Sequence, residues 1–346
     1  MQSQIEIFKF NPNTDYLPYF KKVFLEIDKN WTVLELLQAL LKIEKFAILE
    51  SERFCLKIND LFVEAKTKLD AFDDLKFVKI EPVSEYYCAH DLIVDTKNFW
   101  QQFEMFKKFE TDSNLREIYN EKFLEYFASN TLNFNKNYIG EAALFCIHHL
   151  IFNKNMPFNL FEDLILDSEN GMLMHTCLKN QIIKSNENSQ IFYDLLKIFY
   201  PNKSLNLKKI EFGFDEKITQ NFENFNIAFY FLHTNQVIFK NLKYNKIELA
   251  TKNSNLAFYC ENSDFILKMA YVLLLEAVDK NCDFLVVDDE FLFDILDAKQ
   301  GQIEAFANRE IKLPILKIDE FVKIINGEKN SKTLGFDKHK IIPNFF

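Results

Sequence analysis

Four sulfur and imidazole side chains in the middle of the chain could bind a metal ion. Cys146 and His149 lie on one face of a predicted helix at 139–153, because they are three residues apart. His175 and Cys177 lie in the later segment GMLMHTC. Two thiolates and two imidazoles would suit tetrahedral zinc. Because no C-x-x-C pair is present, we favour a buried thiol at Cys146 and surface or hydrogen-bonded histidines, and we predict no metal site.

Three consecutive carboxylates, Asp288, Asp289 and Glu290, follow a short apolar segment that is predicted to be a strand. Ligands of α/β sheets bind at the carboxyl ends of strands, so this run could bind magnesium or serve in acid/base chemistry. The alternative is a helix start, where carboxylates meet the positive end of the helix dipole. No basic or glycine-rich phosphate-binding residues stand nearby, so we favour the helix start and predict no catalytic residue.

An aromatic segment at 99–109, FWQQFEMFKKF, could be a docking surface for a partner. At helical spacing Phe99, Phe103 and Phe106 fall on one line, which is typical of a core, whereas Trp100 and Phe109 lie off it. We predict packing between domains, with a partner groove as the alternative.

Composition argues against several classes of function. With 346 residues, 48% of them hydrophobic, the chain can form two or three domains with sizeable cores. The net charge of −10 argues against nucleic acid as a partner, because its phosphates require a basic surface. The 6 glycines form no G-x-G pattern, Walker A loop or G-x-S-x-G elbow. Phosphate-binding loops and nucleophile elbows are therefore not predicted.

The sequence also lacks the marks of secretion and of membrane insertion. It begins MQSQIEIFKF, without a basic region followed by an apolar one. Its longest apolar run, near 269–275, is too short to span a bilayer. Cysteines are scattered at 55, 88, 146, 177, 260 and 282. We predict a cytoplasmic protein that does not span a membrane and has reduced thiols.

Hydrophobic periodicity divides the chain into three parts, which predicts an α+β multidomain fold. Residues 1–95 read as strands around one helix at 33–45, which Thr32 and Glu35 begin with a capping box. The helix has a predicted inward stripe of Val33, Leu36, Leu37, Leu40, Leu41 and Ile43. The order of strand, strand, helix and further strands predicts a β-grasp domain.

The two later parts have different patterns. Residues 96–205 are predicted to be helical, mainly at 97–109, 115–128, 139–153 and 187–199. Residues 206–346 alternate buried strands with helices, which predicts an α/β domain with a parallel sheet. Its predicted strands are 226–231, 256–259, 284–287 and 314–316.

Residues 1–205 resemble the iron–sulfur subunit of succinate dehydrogenase and fumarate reductase. In that family a β-grasp domain with a two-iron cluster precedes a helical ferredoxin domain with two further clusters. The similar stretches occur in the family's order: IEIFKFNP at 5–12, WTVL at 31–34, FCLKIN at 54–59, AKTKL at 65–69, DLIVD at 91–95, IGEAAL at 139–144 and GMLMHTC at 171–177. The resemblance implies a β-grasp domain at 1–95 and a helical ferredoxin-like domain at 96–205.

The ligands of that family's clusters are mostly missing. The resemblance places the four cysteines of the two-iron cluster at Ala47, Glu52, Cys55 and Ala65, of which only Cys55 is a cysteine. The first helical set falls near Ile118, Glu121, Leu124 and Ala128, and the second keeps Cys177 while Met174 replaces its leading cysteine. Because iron–sulfur clusters take four protein ligands, we predict no cluster in this region and no other cofactor.

A second resemblance covers residues 206–346, which are similar to the cysteine-rich domain of heterodisulfide reductase. The similar stretches are CDFLVV at 282–287, LPIL at 313–316, DEFVKIING at 319–327 and LGFDKH at 334–339. The cysteines of the family's C-P-x-C motif correspond to Asp289 and Leu292, and Cys260 stands alone where the family has paired cysteines. This cluster site is predicted to be lost as well.

These observations predict a non-catalytic pseudo-subunit that scaffolds, assembles or regulates a redox complex, with a flavoprotein or membrane-anchor subunit as partner. The alternative is an enzyme or small-molecule sensor that has reused the vacated cluster cavities, and we expect such a cavity between the C-terminal and helical domains. Cavities packed by Phe and Leu would favour the first hypothesis. An open cavity with several polar groups would favour the second.

Overall fold

A computed structural model of the chain describes residues 2–109, 114–176, 178, 181–183, 189–201, 218–231, 242–249 and 256–344. The chain divides into two compact units, Met1–Leu195 and Leu196–Phe346. The first unit contains a mixed sheet followed by helices, and the second contains a parallel sheet with helices. This agrees with the predicted α+β class, while the division at residues 95 and 205 stays a prediction.

A five-stranded mixed sheet opens the first unit. Its strands are β1 (Gln2–Lys9), β2 (Tyr19–Glu26), β3 (Cys55–Ile58), β4 (Leu61–Glu64) and β5 (Phe77–Pro82). They lie in the order β2-β1-β5-β3-β4, with β1 and β5 parallel and the other neighbours antiparallel. Successive side chains of a strand point to opposite faces of the sheet, so neighbouring rows across the sheet differ in burial. Val23, Ile5 and Val78 form one of the buried rows.

Helix α1 (Val33–Leu41) packs on the buried face of this sheet. The predicted capping box is confirmed: the Glu35 amide donates to the Thr32 hydroxyl at 3.2 Å, and the Thr32 amide donates to the Glu35 carboxylate at 2.6 Å. The helix ends earlier than the predicted residue 45, since Lys42 and Ile43 already close tighter turns onto Ala39 and Leu40. Ile43 therefore leaves the predicted stripe and is exposed.

A small hairpin of β6 (Cys88–His90) and β7 (Ile93–Val94) connects the sheet to the helices. The helices are α2 (Lys97–Phe103), α3 (Leu115–Glu121), α4 (Phe123–Ala128), α5 (Thr131–Phe134), α6 (Glu141–His148), α7 (Glu162–Ile165) and α8 (Ser189–Phe199). A 3₁₀ segment, Glu104–Phe109, follows α2, and a π turn, His149–Asn153, follows α6. The predicted helical regions at 97–109, 115–128, 139–153 and 187–199 are thus confirmed in outline.

The aromatic segment after residue 98 forms the core of this helical region. Phe99 and Phe106 are fully buried, and the Phe99 ring lies 4.6 Å from that of Tyr119. Phe109, which lies off the predicted line, is also buried, 5.1 Å from Phe161. Trp100 is only partly buried and stacks under the Arg116 guanidinium at 4.7 Å. The segment therefore packs among the helices that follow it.

The second unit has a four-stranded parallel sheet in the order β11-β10-β8-β9. Its strands are β8 (Phe222–Tyr230), β9 (Tyr244–Ile247), β10 (Phe284–Val287) and β11 (Ile315–Lys317). Its helices are α9 (Ser263–Asp279), α10 (Glu290–Phe293), α11 (Gln300–Ala307), α12 (Ile318–Ile325) and α13 (Ser331–Leu334). The parallel sheet agrees with the predicted α/β pattern.

Two predictions for this unit were wrong or incomplete. Leu256–Tyr259, predicted as a strand, is a 3₁₀ turn, because a short apolar run fits a buried turn as well as a strand. Strand β9 was not predicted, since its sequence YNKI carries little apolar periodicity. Across the described ranges, no helix combines the length and apolar content needed to cross a bilayer.

Candidate functional site

An open cavity of about 430 Å³ lies in the first unit, where the sheet edge meets the start of the helical region. Cavities of roughly 300–1,000 Å³ are typical of small-molecule sites. Three parts of the chain line it: the start of β3 with the end of β4, the hairpin strand β7, and the junction between α3 and α4. Its lining residues are Leu49, Arg53, Phe54, Cys55, Glu64, Lys66, Ile93, Val94, Thr96 and 120–124.

Local structure explains how the sheet presents its residues to the cavity. The Ala65 amide donates to the Phe54 carbonyl at 2.7 Å, and the Lys66 amide donates to the Glu52 carbonyl at 3.0 Å. These bonds continue the β3–β4 pairing beyond the strands and bring Arg53, Cys55, Glu64 and Lys66 to one edge. The helical wall is formed where α3 ends at Glu121 and α4 begins at Phe123.

The cavity coincides with positions that the resemblance assigns to cluster ligands. Cys55, Glu121 and Leu124 line it directly, and Glu64 and Lys66 flank Ala65. Ala65 is completely buried, and its carbonyl accepts a hydrogen bond from the Leu34 amide at 2.8 Å. A methyl side chain has no lone pair for a metal, so this position cannot supply a ligand.

Cys55 is the one cysteine among these cavity positions, and its thiol is held in the neutral form. The pKa of Cys55 is raised to about 12, mainly by burial and then by the nearby Glu64 and Glu125 carboxylates. The Lys66 ammonium has a smaller effect that lowers the pKa. The thiol donates to the Arg53 carbonyl oxygen at 3.3 Å. Since the thiolate is the form that binds metals and attacks carbonyls, Cys55 is poorly suited to either task.

The cationic side chains of the cavity differ in their pairing. Lys66 forms an ion pair with Glu64, and Lys122 forms one with Glu125 at 3.0 Å. The ammonium of Lys122 also lies 4.3 Å from the centre of the Phe145 ring. By contrast, the guanidinium of Arg53 has no hydrogen-bond or ion-pair partner within the described ranges.

Ala47, another predicted ligand position, is held by a buried carboxylate. The Ala47 amide donates to Asp91 at 2.8 Å, and the same carboxylate accepts from the Phe10 amide at 3.0 Å and from Lys9 at 3.3 Å. Asp91 opens the DLIVD motif and has a left-handed backbone, with φ of 50°. The motif thus joins the loop before β3 to strand β1.

Among the cluster positions of the helical region, Ile118 is half-buried and Glu121 is exposed at the cavity, whereas three others are buried. Leu124, Ala128 and Met174 are buried, and the Thr131 hydroxyl donates to the Met174 carbonyl oxygen. Cys177 lies outside the described residues.

Three of the four metal-ligand candidates lie among the described residues, each with its own contacts. Cys146 is buried in α6, with its sulfur 3.9 Å from the Leu115 carbonyl oxygen. His149 contacts Asn153 at 3.1 Å on the π turn. His175 contacts the Glu141 carboxylate, and Cys177 lies outside the described residues. Among described residues, no group of three or more His, Cys, Asp or Glu is arranged to hold a metal ion.

A buried polar cluster surrounds Glu141, the first residue of α6. One carboxylate oxygen, Oε1, accepts from the Ser129 hydroxyl at 3.1 Å and the Tyr138 hydroxyl at 3.2 Å, and lies 3.1 Å from Nδ1 of His175. The His175 ring stacks on Phe192 with centroids 3.7 Å apart. All five residues are buried. Sequence patterns gave no sign of this cluster, because its members come from four separate segments.

The acidic run after β10 begins a helix, as predicted. The Asp289 carboxylate accepts from the amides of Phe291 at 2.8 Å and Leu292 at 3.2 Å. Glu290 lies 3.3 Å from the Lys317 ammonium. Leu292, the second C-P-x-C position, is completely buried.

Two other residues of the second resemblance are buried. Cys260 accepts a hydrogen bond at its sulfur from the Asn262 amide at 3.3 Å. His339 of the LGFDKH motif lies 3.3 Å from the Glu320 carboxylate on α12. The C-terminal motif therefore joins the chain end to α12.

No protein-family model and no curated protein matches this chain in sequence. A crystal structure of a hypothetical protein from Helicobacter pylori aligns over 100% of this chain and 99% of that chain, with a TM-score of 0.71 and 15% identity. A chain of the Mycobacterium smegmatis Sdh1 complex in the apo form aligns over 58% of this chain and 97% of its own, with a TM-score of 0.44 and 14% identity. The first similarity shows a shared fold, and the second is too loose to show one.

Proposed function

We propose that this chain is a cluster-free relative of the iron–sulfur subunits of succinate dehydrogenase and fumarate reductase, and that it works without catalysis through contacts with other proteins. Its partners would be subunits of a redox complex, such as a flavoprotein or a membrane anchor. The first unit would be a β-grasp domain followed by a helical ferredoxin-like domain. The second would correspond to the cysteine-rich domain of heterodisulfide reductase.

The observation that carries this proposal is the state of the vacated ligand positions. Ala65 is fully buried and has no donor atom, and Cys55 keeps a buried thiol with a pKa of about 12. Met174, Leu124 and Leu292 are buried hydrophobic side chains at further ligand positions. A cluster needs thiolates at such positions, so these residues support a chain that keeps the fold without the electron-transfer centres.

The arrangement of the first sheet supports the β-grasp part of the proposal. Two antiparallel N-terminal strands, β1 and β2, precede α1, and β1 pairs in parallel with the later strand β5. A parallel pair inside a mixed sheet is compatible with the predicted order of two strands, a helix and further strands. The WTVL motif lies at the start of α1. The DLIVD motif lies at the β6–β7 hairpin.

An exposed aromatic row on the first sheet favours protein contacts. Phe24, Gln4 and Phe77 lie side by side on β2, β1 and β5, on the face away from the buried row. Phe24 is 63% exposed and Phe77 is 66% exposed. Aromatic side chains are enriched at interfaces between proteins. This row, here called the Phe24–Phe77 face, is where we place the contact with a partner.

Affinity purification of the tagged chain from its native cell tests this function. We expect a flavoprotein or membrane-anchor subunit of a redox complex to co-purify, and the tagged partner to recover this chain in return. Recovery of neither protein in either direction would contradict the proposal.

The open cavity supports a second candidate function, the binding of a small molecule. The cavity retains space and is lined by charged residues. It lies within the first unit, whereas the sequence placed such a site between the C-terminal and helical domains. This candidate is compatible with a non-catalytic role, because a bound ligand could regulate contacts with a partner.

A further inference from the structure

We infer that the cavity binds a small monocarboxylate with an apolar body, whose carboxylate pairs with Arg53. The inference rests on the second candidate function and does not depend on the identity of a protein partner. It follows from the pairing of the charged side chains in the cavity, the apolar part of its wall and its size.

Arg53 is the cation best placed to meet a ligand. Lys66 and Lys122 already have the carboxylate partners Glu64 and Glu125, whereas the Arg53 guanidinium has none within the described ranges. A guanidinium presents parallel N–H groups that match a carboxylate in a bidentate pair. The backbone of Arg53 is also fixed, because its amide donates to the Ser51 hydroxyl at 3.2 Å and its carbonyl accepts from the Cys55 thiol.

The remainder of the wall suits an apolar body. All of its apolar members line the cavity: Ile93, Val94 and Phe123 are partly buried, and Phe54 and Leu124 are buried. Leu49 is 55% exposed at the cavity and would become covered by an occupant. A volume of about 430 Å³ accommodates a molecule of this kind with room for water.

Glu121 sets the charge of the ligand. Glu121 lines the same cavity, and its carboxylate has no hydrogen-bond or ion-pair partner among the residues that the structure describes. A second negative group on the ligand would be repelled by it. A monoanion is therefore preferred over a dianion.

The neutral Cys55 thiol makes this a binding site with no covalent step. The thiol lies on the lining and is held by the Arg53 carbonyl, so an acyl transfer to sulfur is not expected. The ligand would be bound and released unchanged.

Isothermal titration with four six-carbon probes tests the inference: hexanoate, adipate, hexylammonium and hexanol. These share one apolar chain and differ in charge. We expect saturable binding of hexanoate to the full chain below about 10 mM, and binding at least about tenfold weaker for the other three. Arg53→Gln should weaken hexanoate binding at least about tenfold, with Arg53→Lys intermediate.

Glu121→Gln is the matched control variant in the same cavity. It should keep hexanoate binding and should strengthen adipate binding, because the repulsion is removed. The melting temperature of each variant shows whether it is folded. The inference is overturned if hexanoate does not bind, if hexanol or hexylammonium binds as well as hexanoate, or if folded Arg53→Gln binds hexanoate like the wild type. Iron analysis of the protein is a separate measurement from these titrations. A failure of the binding inference is therefore distinguishable from a failure of the cluster-free proposal.

Discussion

The Cys55 thiol donates a hydrogen bond to the carbonyl oxygen of Arg53, with 3.3 Å between sulfur and oxygen. The resemblance makes this sulfur a cluster ligand, yet here it is a buried, protonated group bonded to its own chain two residues away. The neighbouring ligand position, Ala65, has no group that could share a metal. At this position the thiol therefore serves as a buried, hydrogen-bonded side chain.

Cys55 should react slowly with alkylating reagents in the folded protein. At pH 8 a thiol with a pKa of about 12 forms far less thiolate than one at about 8.5, so iodoacetamide should modify Cys55 on the order of a thousandfold more slowly than in urea. Peptide mapping by mass spectrometry measures this residue by residue. Equal rates in folded and unfolded protein would contradict the assigned environment.

The same pKa shift predicts a dependence of stability on alkaline pH. The folded state holds the Cys55 proton more tightly than the unfolded state, so this contribution is complete below about pH 8.5 and is lost as pH rises towards 12. Comparing Cys55→Ala with the wild type isolates it from other groups. The stability difference between the two proteins should change over this range and stay constant at neutral pH.

Glu141 should be important for the stability of the helical region. Replacement by Ala leaves the Ser129 and Tyr138 hydroxyls and His175 buried without their shared acceptor, which should lower the free energy of unfolding by about 3 kcal/mol. Urea unfolding measures the loss. Glu162→Ala, at an exposed position in α7, is the control and should change stability by less than about 0.5 kcal/mol. Similar effects of the two substitutions would argue against the cluster.

Replacement by alanine should have opposite effects on stability at two of the glycines. A Cβ atom at Gly171 would clash with the carbonyl oxygens of both Ile165 and Asp167, so Gly171→Ala should cost about 3 kcal/mol. Gly301 lies in α11, where the nearest atom to an added Cβ is 3.9 Å away. Gly301→Ala should therefore stabilise the protein by about 0.5–1 kcal/mol. Thermal unfolding of the two variants compares them, and a stabilising Gly171→Ala would show that this close approach is absent.

The Phe24–Phe77 face should be needed for partner recovery. A double substitution, Phe24→Ser with Phe77→Ser, removes exposed aromatic surface and should reduce co-purification of a partner at least about tenfold without loss of folding. Phe306→Ser, at a 45% exposed position in the second unit, is the matched control. Quantitative mass spectrometry of the purified complexes measures the effect. If the folded double variant recovers the partner as well as the wild type does, the Phe24–Phe77 face is not the contact surface.

Features set by neighbouring residues could be predicted from the sequence. The Thr32–Glu35 capping box and the Asp289 cap depend on residues within three positions of each other, and both were found as predicted. The aromatic helix after residue 96 was also predicted, although Phe109 proved buried through contact with the distant Phe161. At Ile43 and at 256–259 the local pattern was ambiguous, and the surrounding structure decided the outcome.

The candidate site could not be predicted, because it depends on contacts between distant segments. Arg53 and Glu121 meet at one cavity only because the edge of β3 and the junction of α3 and α4 come together. Glu141 and His175 are 34 residues apart, and neither lies in a recognisable catalytic pattern. Charged residues beside the positions that the resemblance assigns to ligands, such as Arg53, Glu64 and Lys66, were the available signal.

Iron content of the anaerobically purified chain tests the cluster-free account most directly. Protein prepared from its native cell and from a host with active cluster assembly should be measured for iron and sulfide and by visible absorption. We expect a colourless protein with iron far below stoichiometry in both preparations. A brown protein with broad visible absorption and stoichiometric iron would contradict it.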